Sequence, residues 1–213
     1  MPQSSPIKDE RDAFWNRVRA SLAAMRPGRR DAREPAYGTA AIARAREGRG
    51  RLDDVLRGAW DRCAAGKVPL CVMVIEVDRF RELHHAYDAQ TIETAMGKLH
   101  RTIRSSLSRP GDTCMRHGRG GFVVVLPDYP VLMAAKLAKA MAGAVSDMAI
   151  AHKESHAGVV TVSCGVVGID PQGNVERSVF EAAMAALARG QRRGLGQVEM
   201  VDLRAKWREQ RAG

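Results

Sequence analysis

The hydrophobic positions change period several times along the chain, and each change marks an element. From Glu10 to Met25, the residues Phe14, Trp15, Val18, Leu22 and Met25 recur at three- and four-residue intervals. That is the stripe of an amphipathic helix, which needs a surface to pack against. Pro27 to Pro35 is basic and proline-punctuated, and reads as a linker. A second helical stretch opens near Gly38, is interrupted at Gly48-Arg49-Gly50, and resumes from Leu52 to Ala65 with Gly66 as its stop. Leu70–Val77 is apolar almost without a break, as strands at the centre of a parallel sheet are. A long helical region, Phe80–Leu107, follows. Two β-branched runs, Thr113–Arg116 and Phe122–Leu126, flank a turn of Gly and Arg and predict a hairpin. The pattern closes with a helix over Val131–Ser146, a strand over Val159–Val167, a helix over Val179–Gly190 and a strand over Gln197–Val201.

This alternation is α/β. It divides the chain into an N-terminal helical extension with its basic linker (1–50), one domain (51–202) and a short polar tail (203–213). Composition narrows the class without deciding it. Hydrophobic residues make up 45% and charged residues 27%, ordinary values for a soluble domain of 213 residues. No apolar run approaches the roughly 18 residues of a membrane span, and the N-terminus is polar, so neither insertion nor secretion is expected. Cys63, Cys71, Cys114 and Cys164 form no Cys-x-x-Cys pair and are read as reduced, buried thiols of a cytoplasmic protein, with no metal site. The net charge of +10 invites a nucleic-acid reading, but the arginines of 26–57 and 189–193 are not interleaved with aromatic stacking residues. A basic face for an anionic nucleotide or an acidic partner accounts for the charge equally well, and no specific nucleic acid is expected.

The densest chemistry lies in Arg109-Pro-Gly-Asp112-Thr-Cys-Met-Arg116-His-Gly118-Arg119-Gly120-Gly121-Phe122. Three glycines at one tip let the backbone approach a ligand closely, or simply turn. Around it, Glu76-Val-Asp78-Arg-Phe80-Arg ends the first strand, Leu126-Pro-Asp128 follows the hairpin, and Val160-Thr-Val-Ser-Cys-Gly165-Val supplies a later strand. Ala183, Ala186, Leu187, Gly194 and Val198 follow in the last helix and strand.

Taken together and in this order, these residues resemble the GGDEF family, the diguanylate cyclases that join two GTP molecules into cyclic di-GMP. The resemblance covers Leu52 to Asp202 and implies a mixed sheet flanked by helices. The family's hairpin reads Arg-x-Gly-Gly-Asp/Glu-Glu-Phe. Aligned on Arg116 and Phe122, its five signature places are filled here by Gly118, Arg119, Gly120, Gly121 and Phe122.

Condensing GTP requires divalent metal held by carboxylates. By the resemblance, one metal-binding acid falls on Glu76, one methylene longer than the family's Asp, and the hairpin acids fall on Gly120 and Gly121. Arg119 places a cation where the phosphates would lie and closes the substrate pocket. The family's guanine-reading Asn and Asp align near His84 and Glu93, its phosphate-binding Lys with Gln191, and its Asn-Arg entry motif with Arg49-Gly-Arg51. The chain is therefore expected to have no cyclase activity and no cofactor. His84 and His85 are adjacent on a helix, so they are not a metal pair; one is expected at the surface and the other half-buried.

Arg109-x-x-Asp112 stands at the spacing of the family's product-binding site. An Arg fork donates well to the O6 and N7 edge of guanine, and a carboxylate accepts from N1–H and N2–H. Arg116 either adds to the positive rim, as a third ligand-binding candidate, or serves the hairpin. The family's second arginine, on the following helix, falls near Ala140, with Lys136 and Lys139 as neighbours. The implied function is a bacterial cyclic di-GMP receptor that acts in signal transduction on a protein partner, with a homodimer also open. A nucleotide-independent interaction scaffold and a residual cyclase built on Glu76 are the rival readings. A solvated Arg and Asp beside a Pro-Gly turn is the plain alternative for the site itself.

Overall fold

The computed structural model describes residues 37–175 and 178–204, with side chains from residue 51 onward. The expected helix at Glu10–Met25, the linker at Pro27–Pro35 and the tail beyond 204 lie outside the described residues. In chain order the elements are α1 (Tyr37–Gly66), β1 (Leu70–Val77), α2 (Phe80–Ala86), α3 (Ala89–Ser105), β2 (Thr113–His117), β3 (Gly121–Pro127), α4 (Val131–Asp147), β4 (Val162–Ile169), α5 (Ser178–Arg193) and β5 (Val198–Asp202). The strands form one mixed sheet in the order β2-β3-β1-β4-β5.

Every side chain of β1 from Leu70 to Ile75 is buried because both faces of the sheet are covered. Alternation along the strand sends Cys71, Met73, Ile75 and Val77 to one face, where they meet Met96, Leu99 and Ile103 of α3 and Met141 of α4. Leu70, Val72 and Val74 go to the other face, against Trp60 of α1 and Leu187 of α5. A continuous apolar run is the pattern of a parallel centre, yet β1 runs antiparallel to both β3 and β4, and β5 alone is parallel to its neighbour. Two-sided burial, not strand direction, makes the run continuous.

Other boundaries move for identifiable reasons. α1 passes through Gly48-Arg49-Gly50 without the expected interruption; glycine costs a helix about 1 kcal/mol each, which a long helix can absorb. The expected single helix after β1 divides at Tyr87-Asp88. There Tyr87 is extended and Asp88 caps α3, accepting from the Thr91 amide at 2.9 Å and the Thr91 hydroxyl at 2.7 Å. These two bonds also hold the Asp88 carboxyl below its ordinary range. β4 begins three residues later than expected, because Val159 bridges to Ala151 and the Val160 amide donates to the Ile150 carbonyl at 2.7 Å. His84 and His85 are both exposed, not one exposed and one half-buried.

The four cysteines are free and buried. Burial pushes the Cys71 and Cys164 thiols up to about 12 and Cys114 up to about 11. Since the native state favours the protonated thiol, this contribution to stability is present below the unfolded value of about 8.5 and is lost as pH rises toward the folded values. Among the described residues no helix is long and apolar enough to cross a membrane.

Two outcomes test this packing. Alkylation by iodoacetamide at pH 8, followed by mass spectrometry, is expected to leave all four thiols unmodified until denaturant is added. In β4, a Cβ at Gly165 would lie 2.1 Å from the Ala183 carbonyl oxygen and 2.5 Å from the Leu187 amide nitrogen of α5. Because both contacts are backbone, Gly165→Ala is expected to lower unfolding stability by about 3 kcal/mol or more in a urea titration.

Candidate functional site

The hairpin β2–β3 carries two candidate sites, one at each end. At its tip, β3 pairs with β1 so that Gly121 lies opposite Glu76, and β1 pairs with β4 so that Glu76 lies opposite Ser163. Glu76 is even-numbered on a strand whose even residues face α1 and α5, and it meets α5 as the alternation requires: its Oε2 accepts from Gln191 Nε2 at 3.0 Å. Two residues on, Asp78 is 3% exposed and fully engaged. Its Oδ1 accepts from the Ser163 hydroxyl at 2.7 Å, and its Oδ2 from the Thr161 hydroxyl and the Gly196 amide, each at 2.8 Å. Asp78 thus fastens the end of β1 to β4 and to the loop before β5.

Gly120 and Gly121 are both buried. A Cβ on Gly120 would lie 2.4 Å from Phe80 Cγ, because the Phe80 ring sits directly over that glycine. A Cβ on Gly121 would lie 2.9 Å from the His117 carbonyl oxygen and 3.0 Å from that of Ile75. Arg119 is exposed at the turn, and its carbonyl accepts from Arg116 Nη2 at 3.3 Å. The same Nη2 donates to Glu93 Oε1 of α3 at 3.3 Å, and the Arg116 guanidinium lies 5.8 Å from the Phe122 ring centroid. His84 is exposed on α2, its ring 6.0 Å from that of Phe80.

At the opposite end of β2, Arg109 to Asp112 closes a tight turn. The Asp112 amide donates to the Arg109 carbonyl, and the Arg109 amide to Asp112 Oδ2, each at 3.1 Å. Pro110 fits the first corner, and Gly111, at φ +97°, supplies the positive angle that the second corner of a type II turn requires. Asp112 Oδ1 is buried and has no hydrogen-bond partner among the described residues. The Arg109 guanidinium lies over the Tyr129 ring, 4.4 Å from its centroid, and its Nη1 donates to the Asp128 carbonyl at 2.7 Å. Arg116 is four residues from Asp112 along an extended strand, about 13 Å away. The structure therefore brings Arg109 and Asp112 together and leaves Arg116 with Glu93 at the tip.

The sequence of residues 47–197 matches the family model described as Diguanylate cyclase, GGDEF domain. The chain belongs to the GGDEF family. Solved GGDEF structures agree at the level of fold. The GGDEF domain of DgcB from Caulobacter crescentus, determined in complex with c-di-GMP, is 24% identical with a TM-score of 0.63, over 70% of this chain and 87% of that one. The active GGEEF domain of a Vibrio cholerae diguanylate cyclase is 18% identical with a TM-score of 0.61, over 68% and 90%. Pseudomonas aeruginosa SiaD, solved with its activator SiaC, is 16% identical with a TM-score of 0.59, over 92% and 78%. No curated protein matches the chain by sequence.

GGDEF cyclases imply a divalent metal, and the donors at this tip do not fit one. Glu76 is hydrogen-bonded to Gln191, both Asp78 oxygens are engaged, and Gly120 and Gly121 offer no side-chain ligand. Three residues that matter to the two sites went unread in the sequence. Phe80 was seen as part of a motif but not as the ring over Gly120, and Asp78 was not seen as a buried tie. Tyr129, adjacent to the Leu-Pro-Asp match, carried no signal that it would lie beneath Arg109.

Restoring acids to the tip tests its packing. Gly121→Glu must displace two backbone carbonyls and Gly120→Glu must swing the Phe80 ring aside. Each is expected to lower stability by about 1–3 kcal/mol, read from a thermal or urea transition.

Proposed function

We propose that this GGDEF domain makes no cyclic di-GMP and instead binds it through Arg109 and Asp112, relaying its presence to a protein partner in the bacterial cytoplasm. The observation that carries the reading is Asp112 Oδ1, a buried acceptor with no partner among the described residues, in the same turn as an exposed arginine. An unpaired buried carboxylate oxygen is costly unless a donor arrives. Guanine N1–H and N2–H are such donors, while the guanidinium suits the O6 and N7 edge or a phosphate. Against synthesis stand the tip residues: of the two carboxylates at the end of β1, Glu76 accepts from Gln191 and both Asp78 oxygens are engaged, and Gly120 and Gly121 bring no side-chain ligand for the metal that a triphosphate requires. The DgcB domain solved with c-di-GMP and SiaD solved with its activator lend support by kinship to a nucleotide ligand and a protein partner. Arg116 is left out of the binding set, because its geometry places it at the tip with Glu93.

A second reading, the nucleotide-independent scaffold, is favoured by one observation. Arg109 already has partners in Asp128 and Tyr129. Isothermal titration calorimetry separates the two. Cyclic di-GMP is expected to give saturable heat, with affinity about tenfold weaker or worse in both Arg109→Ala and Asp112→Asn, and unchanged in Arg116→Ala, whose exposed pair with Glu93 contributes little. Absence of heat, or an Arg109→Ala protein binding as the parent does, would sink the receptor reading. Incubation with GTP and Mg²⁺ or Mn²⁺, followed by chromatography, is expected to yield no cyclic di-GMP; its appearance would overturn the non-catalytic assignment.

A further inference from the structure

We infer that Tyr129 positions Arg109 for the nucleotide. The inference rests on the receptor reading above and concerns how the same site is held ready. Ala140 occupies the α4 register where the resemblance calls for a second arginine, so the exposed Arg109 carries the donor role in this turn. A free arginine on a surface turn loses rotamer entropy of up to about 2 kcal/mol when a ligand immobilises it. Here the side chain is already fixed at two points.

The platform is built outward from the sheet. Cys71 of β1 donates its thiol to the Tyr129 carbonyl at 3.0 Å, anchoring the backbone where the chain leaves β3. The Tyr129 side chain is half-buried and packs against the core on the α3–α4 face. Its ring cannot drift with the surface loop, and it carries the guanidinium at 4.4 Å from its centroid. Asp128, held at φ +50°, turns its carbonyl toward Arg109 and accepts one N–H of Nη1. The other guanidinium N–H groups make no hydrogen bond among the described residues, so a stacked, planar fork still has donors for a guanine edge or a phosphate. A ring beneath an arginine is a cation–π contact worth about two- to fivefold in affinity at an exposed site.

The test pairs Tyr129→Phe with Tyr129→Leu in the full chain, using cyclic di-GMP calorimetry, the thermal midpoint, and the Arg109 Nε–Hε signal in ¹⁵N NMR of the free protein. Tyr129→Phe keeps the ring and is expected to match the parent in all three. Tyr129→Leu keeps apolar bulk at the core edge but not the π face. It is expected to bind about two- to fivefold more weakly, and to show a broadened or exchanged Arg109 Nε–Hε signal. Parental affinity and an ordered Arg109 signal in Tyr129→Leu would overturn the inference. Equal weakening by Phe and Leu would do so too, because it would assign the effect to the hydroxyl. Should Leu not fold, an Arg109 signal in the parent as mobile as that of a solvated arginine would be equally fatal. If the parent shows no heat with cyclic di-GMP, the receptor reading fails on that result alone, while the NMR comparison still decides whether Tyr129 orders Arg109.

Discussion

The two-sided burial of β1 is the constraint on which the other features depend. A strand covered by α3 and α4 on one face and α1 and α5 on the other must be apolar at every position it can be. Its polar residues can appear only where it emerges. Glu76 and Asp78 stand at that point. The alternation that sends Ile75 and Val77 to the α3–α4 face sends Glu76 to the α5 face, where Gln191 meets it. Asp78, just past the strand, is not a chemical group in waiting. With three donors on its two oxygens, it is what keeps the end of β1, the start of β4 and the loop before β5 in register.

The hairpin β2–β3 turns this rigid centre into two separate environments. Its tip is fixed by pairing to β1, and small residues there have allowed neighbours to close in: the Phe80 ring over Gly120, and the carbonyls of His117 and Ile75 around Gly121. Its other end is fixed by a Pro-Gly turn whose amides and carboxylate close on each other. At the tip Glu76 and Asp78 are engaged by protein donors, while Arg116 Nε is buried without a partner among the described residues. The turn sets an acceptor without a partner among the described residues beside a partly engaged guanidinium, and that pairing of acceptor and donor fork is what a guanine edge would meet.

Much of the fold was legible because periodicity reports burial directly. Leu70–Val77 was bounded to the residue, and α4 and α5 within a few residues, since their stripes are long and their neighbours are polar. What failed were features decided by partners distant in sequence. Strand direction around β1 depends on β3 and β4, and an apolar run cannot encode it. The break at Tyr87-Asp88 was available in the Asp88-x-x-Thr91 capping pair but was masked by helical periodicity on both sides. Of the candidate residues, Arg109 and Asp112 stand together because local turn chemistry brings them together. Arg116, open to either the rim or the hairpin by sequence, lies with Glu93 and the Arg119 carbonyl, because an extended strand carries a residue about 3.3 Å further with every step. Tyr129 illustrates the reverse case, twenty positions from Arg109 and yet beneath its guanidinium.

The Phe80 ring makes the two glycine positions of the tip unequal. At position 120 a side chain would meet a ring that can turn about its own bonds, whereas at 121 it would meet the carbonyls of His117 and Ile75, which cannot move without their strands. An acid at 120 therefore asks one side chain to yield, and an acid at 121 asks β1 and β2 to part. Tolerance to substitution changes sharply within a single step of the hairpin.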